Sequence, residues 1–293
     1  MNYKRREFIQ LTGNLATGLV LAPLACKLMS KENEEGDKKL GAFGIQLWTV
    51  RDEIGKDPKG VLKQLAADGY KQIESFEGSQ GIFWGMSAAE FKKYMDDLGT
   101  VIISSHCDIT KDFEKKAADA ASIGMKYLLC PYKGPQKSID DFKKFADEFN
   151  QKGEICKKNG IRFGYHNHDY SFTAMNGVFP QDVMMQNTNP DLVDFEMDIY
   201  WVVTAGQDPQ AWLKKYPNRF RHCHVKDRKK DVPATEHDAS CILGRGSIDF
   251  EKILKTARKN GAQYYIVEQE KYENSTELDS AKADAEYMKK VKV

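Results

Sequence analysis

The chain alternates short apolar runs with longer stretches in which apolar residues recur every three or four positions. The first run is Gly44-Ile45-Gln46-Leu47-Trp48-Thr49-Val50. Over 58–69, Val61, Leu62, Leu65 and Ala66 then fall on one helical face. Further strands are expected over 72–76, 101–106, 127–130, 162–167, 192–199, 220–225 and 264–268. Helical patterns separate or follow them over 87–98, 113–125, 138–159, 208–216, 249–260 and 276–290. Ser87 and Glu90 have the spacing of a capping box. The stretch between Phe172 and Pro190 is less regular and has room for one short helix. Strand candidates in βα alternation over about 250 residues predict an α/β fold, a closed parallel (β/α)8 TIM barrel, spanning 41–293.

The segment ahead of the barrel is of another kind. Arg5-Arg6-Glu7-Phe8-Ile9-Gln10 precedes an uncharged, mostly apolar run from Leu11 to Ala25, too short and too rich in glycine for a membrane span. Paired arginines with a phenylalanine two residues on resemble a twin-arginine export signal, assigned to residues 1–26. Cys26 ends the run as a lipoprotein cysteine would, so the expected location is exported and periplasmic, with a lipid anchor at Cys26 as the membrane contact. Residues 27–40, rich in Lys, Glu, Gly and Asn, read as a flexible tether.

Composition narrows the partners. The chain has 293 residues, 41% hydrophobic and 30% charged, as in a globular protein. Lys and Arg number 44 against 43 Asp and Glu. Without residues 1–36 the two signs balance at 39 each, so there is no general field to draw in a polyanion and no nucleic-acid partner is expected. Cys107, Cys130, Cys156, Cys223 and Cys241 form no Cys-x-x-Cys pair and read as small buried residues. No Gly-x-Gly-x-x-Gly follows the first strand and no P-loop occurs. The chemistry of such a barrel must then sit at its strand ends.

Those ends are crowded with ionisable groups: Glu74, His106, His166-Asn167-His168-Asp169, Glu196-Met197-Asp198, His222-Cys223-His224-Val225-Lys226-Asp227 and Glu268-Gln269-Glu270. Side chains two apart on a strand share a face. His166 therefore goes with His168, Glu196 with Asp198, His222 with His224 and Glu268 with Glu270, all toward the barrel axis at its C-terminal mouth. Of the six histidines only His237 lies elsewhere. A mixed imidazole and carboxylate shell suits a divalent Mn, Zn, Co or Fe ion, with Mg also admissible, better than an all-oxygen calcium cage. Such an ion acidifies the C–H beside a bound carbonyl, and a poised carboxylate can then move the proton.

From Gly44 onward the chain resembles the sugar phosphate isomerase/epimerase superfamily, the xylose-isomerase-like barrels. The resemblance rests on Tyr165-His166-Asn167-His168-Asp169, His224-Val225-Lys226-Asp227, Leu243-Gly244-Arg245-Gly246-Ser247-Ile248-Asp249-Phe250 and Val267-Glu268-Gln269-Glu270. It implies metal ligands at His166, Asp198, His224 and Glu268. Epimerases of the family place a Glu at the strand-five position, where this chain has His166. One clear carboxylate base, Glu268, then suits isomerisation, dehydration or β-elimination at least as well as epimerisation. The resemblance further implies His166 and His168 as acid/base groups, Lys226 as a stabiliser of enolate charge, His106, Trp48 and Trp201 as contacts to a carbohydrate substrate, and Glu74 as a residue that orients a ligand or binds a substrate hydroxyl. The leading expectation is an exported metal-dependent sugar isomerase/epimerase acting by enolisation. Next comes a 3-keto-glycoside lyase or hydratase, and behind it a non-catalytic sugar-binding lipoprotein or an abasic-site endonuclease-like enzyme.

Overall fold

The computed structural model describes residues 38–293; the export signal, Cys26 and most of the expected tether lie outside the described residues. Eight parallel strands close a barrel: β1 (Gly44–Gln46), β2 (Gln72–Phe76), β3 (Val101–His106), β4 (Tyr127–Cys130), β5 (Arg162–His166), β6 (Val193–Asp198), β7 (Phe220–Val225) and β8 (Tyr264–Val267). Each pairs with its sequence neighbours, and β8 closes on β1 with Gly44 opposite Ile266. Gly44 leaves no room for a side chain there, since a Cβ would lie 2.7 Å from Ile266 Cδ1 and 2.9 Å from the Gln72 carbonyl.

Alternation along the strands separates two interiors. Ile73, Phe163, Phe195, Met197, Cys223, Val225 and Val267 are buried in the hydrophobic core, the layer between sheet and helices. The polar neighbours of these residues face the axis. Two register shifts adjust the levels: one between Ile73 and Glu74 sets Glu74 beside Ser104, and one between Phe195 and Glu196 sets Glu196 beside His222. Cys107, Cys130, Cys156 and Cys223 are buried thiols, and Cys241 is half-buried.

The helices follow the apolar periodicity, and Ser87 and Glu90 make the capping box at the start of Ala88–Asp97. The irregular stretch holds one helix, Pro180–Asn187. Among the departures from the sequence reading, three bear on the site or on the ends of the barrel. The first apolar run is strand only to Gln46; its side chain accepts a hydrogen bond from Trp48 N and turns the chain into one 3₁₀ turn, Leu47–Val50. Ile199–Thr204 is a helix that the pattern did not announce, begun by Asp198, which accepts from Trp201 N. At the end of the expected tether, Leu40 N donates to Val291 O and Val293 N to Lys38 O, so residues 38–40 run along the C-terminal segment.

Candidate functional site

The axis of the barrel is filled by a connected network of acids and imidazoles. Glu196 on β6 is its hub: Oε2 lies 2.7 Å from His106 Nε2 and 3.0 Å from His166 Nδ1, and Oε1 lies 3.3 Å from His222 Nδ1. Glu74 on β2 accepts from Gln46 Nε2 at 2.9 Å and Ser104 Oγ at 2.5 Å, and pairs with His224 Nε2 at 2.7 Å. Both glutamates are fully buried. Burial and their mutual repulsion oppose the charge on Glu74, but His106 and His224 outweigh both and hold it down to about 2. Burial favours a neutral His106, yet the charges of Glu74 and Glu196 lift it to about 9. Burial prevails at His166, which is lowered to about 4 despite its bond to Glu196.

Above this layer the arrangement changes character. Asp198 Oδ1 accepts from Trp201 N, while its buried Oδ2 has no hydrogen-bond partner. That oxygen lies 3.8 Å from His166 Nε2 and 4.0 Å from His224 Nδ1. His224 Nδ1 is likewise unpartnered and buried, with Glu268 Oε2 3.4 Å away. Asp198, His224 and Glu268 can offer ligand atoms that all lie within 4.8 Å of one another. An unpaired carboxylate oxygen, an unpaired imidazole nitrogen and a second carboxylate converging in a buried space fit a divalent cation, with His166 Nε2 next to them. His106, His166, Glu196 and His224 satisfy the same spacing one level down. There, however, the atoms are already hydrogen-bonded to each other, so Glu196 and Glu74 read as the carboxylates that orient His166 and His224 from behind.

Electrostatics support that division. Burial pushes Asp198 up to about 7, with the Glu268 charge adding to it against the pull of Lys226. Burial opposes the charge on Glu268, but Lys226 and His224 hold its carboxyl well below the usual range. Lys226 is completely buried, its Nζ 2.5 Å from Glu270, 3.2 Å from Glu268 and 3.8 Å from Asp198. It lies 4.9 Å from the ring centres of both Tyr200 and Trp201. Burial disfavours its charge, but the carboxylates raise its pKa above the ordinary lysine value.

A cavity of about 380 Å³ opens over this floor, walled by Trp48, Phe76, His106, Tyr132, His166, His168, Trp201, Glu268 and Glu270 among others. The structure thus brings His166, Asp198, His224, Glu268 and Lys226 together, and sets His106, His168, Trp48 and Trp201 on the cavity wall. Of the two roles expected for Glu74, a substrate contact and the orienting of a ligand, the position fits the second: it is buried beneath the cavity among Gln46, Ser104 and His224, and is absent from the wall. His168 is held well below its ordinary pKa, by burial first and then by the positive charge of Lys226 among its neighbours. Its buried Nδ1 has no partner. The sequence reading placed Glu196 and His222 on the axis without assigning them a role, although strand alternation puts them level with the donors. Tyr132 was missed outright, since a loop residue after β4 carries no periodic signal.

The architecture and the donor set define a class: a parallel barrel with nitrogen and oxygen donors at the C-terminal mouth that could hold a cation. The chain belongs to the xylose isomerase-like TIM barrel family, whose model matches residues 62–291. A solved sugar phosphate isomerase/epimerase from Parabacteroides distasonis ATCC 8503 is 30% identical, with a TM-score of 0.71 over 85% of this chain and 93% of that one. The IolI protein, solved with a bound zinc atom, shares the fold at 14% identity, with a TM-score of 0.70 over 84% of this chain and 95% of that one. Among curated proteins, the inosose dehydratase of Clostridium perfringens (strain 13 / Type A) is 33% identical over 140 residues, 44% of this chain and 46% of that protein. The inosose dehydratase of Bacillus cereus (strain AH820) is 27% identical over 149 residues, 46% of this chain and 49% of its own. The match to this chain thus spans about half the length of these dehydratases.

Proposed function

We propose that the protein is a metal-dependent lyase acting on a keto-sugar or keto-polyol, which removes the proton beside the carbonyl and expels an oxygen substituent from the next carbon. The observation that carries this reading is the one-sidedness of the floor. Glu268 is the wall carboxylate that also belongs to the donor set, while β5 and the loop after it, well round the ring, contribute the imidazoles of His166 and His168. The remaining wall acids are engaged elsewhere: Glu270 with Lys226, Glu77 with Lys116, and Asp108 with Thr110. Two-faced proton exchange at one carbon wants a base on each side. One carboxylate suits removal and return of a proton on the same face.

Asp198, His224, Glu268 and His166 would hold the ion, which when bound would polarise a carbonyl oxygen and stabilise enolate charge. Glu268 Oε2 faces Lys226 and His224, and its Oε1 has no hydrogen bond among the described residues, so Oε1 is free to take the proton. The C–H electron pair forms the enolate. The C–O bond at the neighbouring carbon then breaks with its electrons going to oxygen, and Glu268 returns the proton to that oxygen. No oxidant or reductant is consumed. Lys226 keeps Glu268 ionised between turnovers, and His168 can accept a hydroxyl hydrogen bond at Nδ1. The similarity to inosose dehydratases supports elimination, and that to the Parabacteroides protein supports an isomerase reading, in which the proton returns to carbon. Export rests on the Arg5-Arg6 signal and is tested by fusing residues 1–36 to a reporter that is active only after export.

The test is a panel of keto-sugars and keto-polyols in deuterated water, with and without Mn²⁺ or Zn²⁺. Loss of the substituent with an unsaturated product, dependent on metal and reduced about 10²–10⁴-fold in Glu268→Gln, is the expected result. Deuterium incorporated into a product that keeps every substituent would replace the lyase reading by the isomerase one, and unchanged turnover in Glu268→Gln would remove Glu268 as the base.

A further inference from the structure

A second hollow, of about 300 Å³, opens between the loops that follow β7 and β8. Its lining holds four basic side chains, Lys229, Lys230, Arg245 and Lys271, against one acid, Glu273. The chain as a whole carries the two signs in near-equal number, so the excess is local. One wall is a hairpin in which Asp227–Arg228 pairs antiparallel with Ser240–Cys241. The other is the segment after β8, which turns Gln269 and Lys271 toward this hollow and Glu268 and Glu270 toward the reaction cavity. No residue lines both.

Ser240 joins the two walls. Its Oγ accepts from Glu270 N at 3.1 Å and from Lys271 N at 3.0 Å, which occupies both lone pairs. The hydroxyl proton has no acceptor among the described residues, although the side chain is buried on the wall of the hollow. A buried donor left in that state is costly until an acceptor reaches it. The cations are unevenly matched as well. Lys229 pairs with Glu273, and Lys271 with Asp238 at 2.8 Å. The charged ends of Lys230 and Arg245 make no hydrogen bond or ion pair among the described residues.

We infer that this hollow binds a phosphoryl group, as inorganic phosphate or a small phosphate monoester, at a site separate from that of the reacting substrate. The cations crowd one another, and a dianion among them relieves that repulsion. The Arg245 guanidinium suits a pair of phosphate oxygens and the lysines act as point charges. Ser240 supplies a donor to an oxygen that only accepts. A phosphoryl group gathers several acceptor oxygens on one centre and meets donors from both walls at once, where a single carboxylate has two. Loops after the seventh and eighth strands are also a common place for phosphate in parallel barrels. The volume lies at the small end of the roughly 300–1,000 Å³ typical of ligand pockets, which suits a monoester with a short carbon chain. The occupant ties the hairpin to the segment after β8.

Calorimetry at fixed ionic strength, with inorganic phosphate and with glycerol 2-phosphate, tests the site in protein loaded with Zn²⁺ and in protein stripped of it. One saturable site per chain is expected in both forms. Arg245→Gln should weaken it about tenfold and Lys230→Gln several-fold. Lys143→Gln removes an exposed charge on the helix Ile139–Lys158, outside the hollow, and should leave the affinity within twofold. Phosphate should also slow alkylation of Cys241, the thiol of the hollow, read by peptide mass spectrometry. Tighter binding of glycerol 2-phosphate identifies a monoester as the occupant, and tighter binding of inorganic phosphate identifies the free ion. No saturable binding at millimolar concentrations, binding that disappears with the metal, equal weakening by Lys143→Gln, or affinity untouched by Arg245→Gln and Lys230→Gln overturns the inference. No turnover enters these measurements, so the lyase reading stands or falls apart from them.

Discussion

Glu196→Gln tests whether the buried carboxylates work from behind the ion. Glu196 accepts from His166 at 3.0 Å and lies 3.2 Å from His224 Nε2. With Nδ1 of His166 donating to Glu196, its Nε2 lone pair is turned toward Asp198; with Nε2 of His224 donating to Glu74, its Nδ1 is turned the same way. Glutamine keeps the shape, removes the charge and replaces one accepting oxygen by a donating amide. One hydrogen bond to a charged group contributes about 1.5–3 kcal/mol, and loss of such an outer partner usually weakens metal binding by about 10–100-fold. At about 1.4 kcal/mol per factor of ten, the two ranges agree. Zinc affinity is read by competition with a chromophoric chelator at fixed pH, with circular dichroism as the check on folding. His224→Ala supplies the reference for a lost ligand, expected to fall well below the Glu196→Gln value. Affinity in Glu196→Gln within twofold of the parent would refute the orienting role, and a loss as deep as that of His224→Ala would make Glu196 a ligand itself.

Lys226→Met leaves Glu268, Glu270 and Asp198 facing one another without their buried cation, at a cost of about 3–5 kcal/mol in metal-free protein; zinc should raise the melting temperature of this variant more than that of the parent, and equal shifts would show that the ammonium and the ion do not share those carboxylates. Asp284 provides a pH test away from the site. It accepts from Leu243 N at 2.8 Å through Oδ1, while its buried Oδ2 has no partner. Burial pushes its carboxyl well above the usual range despite that bond, and the charge of Asp227 adds to the shift. A raised acid stabilises fully below the unfolded value of about 3.9 and loses that contribution as pH climbs toward the folded value. Asp284→Asn should therefore melt several degrees above the parent at pH 8, with the advantage shrinking toward pH 4; a gap independent of pH would rule out the titration.

The barrel was legible because its periodicities are local. Ser87 with Glu90 announces a helix, and the apolar runs at 101–106 and 220–225 announce strands. The axis-facing pairs Glu196–Asp198 and His222–His224 were equally legible, since alternation needs no tertiary information. Hidden were the events decided by single side chains. The expected strand runs to Ile199 with no helix assigned directly after it, yet Asp198 caps Ile199–Thr204 into a helix with one oxygen, while its other oxygen has no hydrogen-bond partner. Gln46 ends β1 in the same way. Which of its two expected roles Glu74 takes, support rather than substrate contact, depends on depth along β2, which sequence spacing does not report. Tyr132 depends on how a loop is folded over His168.

Barrels of this kind usually fill their axis with branched apolar side chains. Here Glu74, Ser104, His106, Glu196, His222 and His224 occupy it, all buried. The strands are therefore clasped from inside by the same groups that back the candidate site, and a substitution made there to alter that site also disturbs the assembly of the barrel itself. Diversification toward new substrates has its freest path at the outer loops, where Trp48 and Tyr132 can be exchanged without touching that inner clasp.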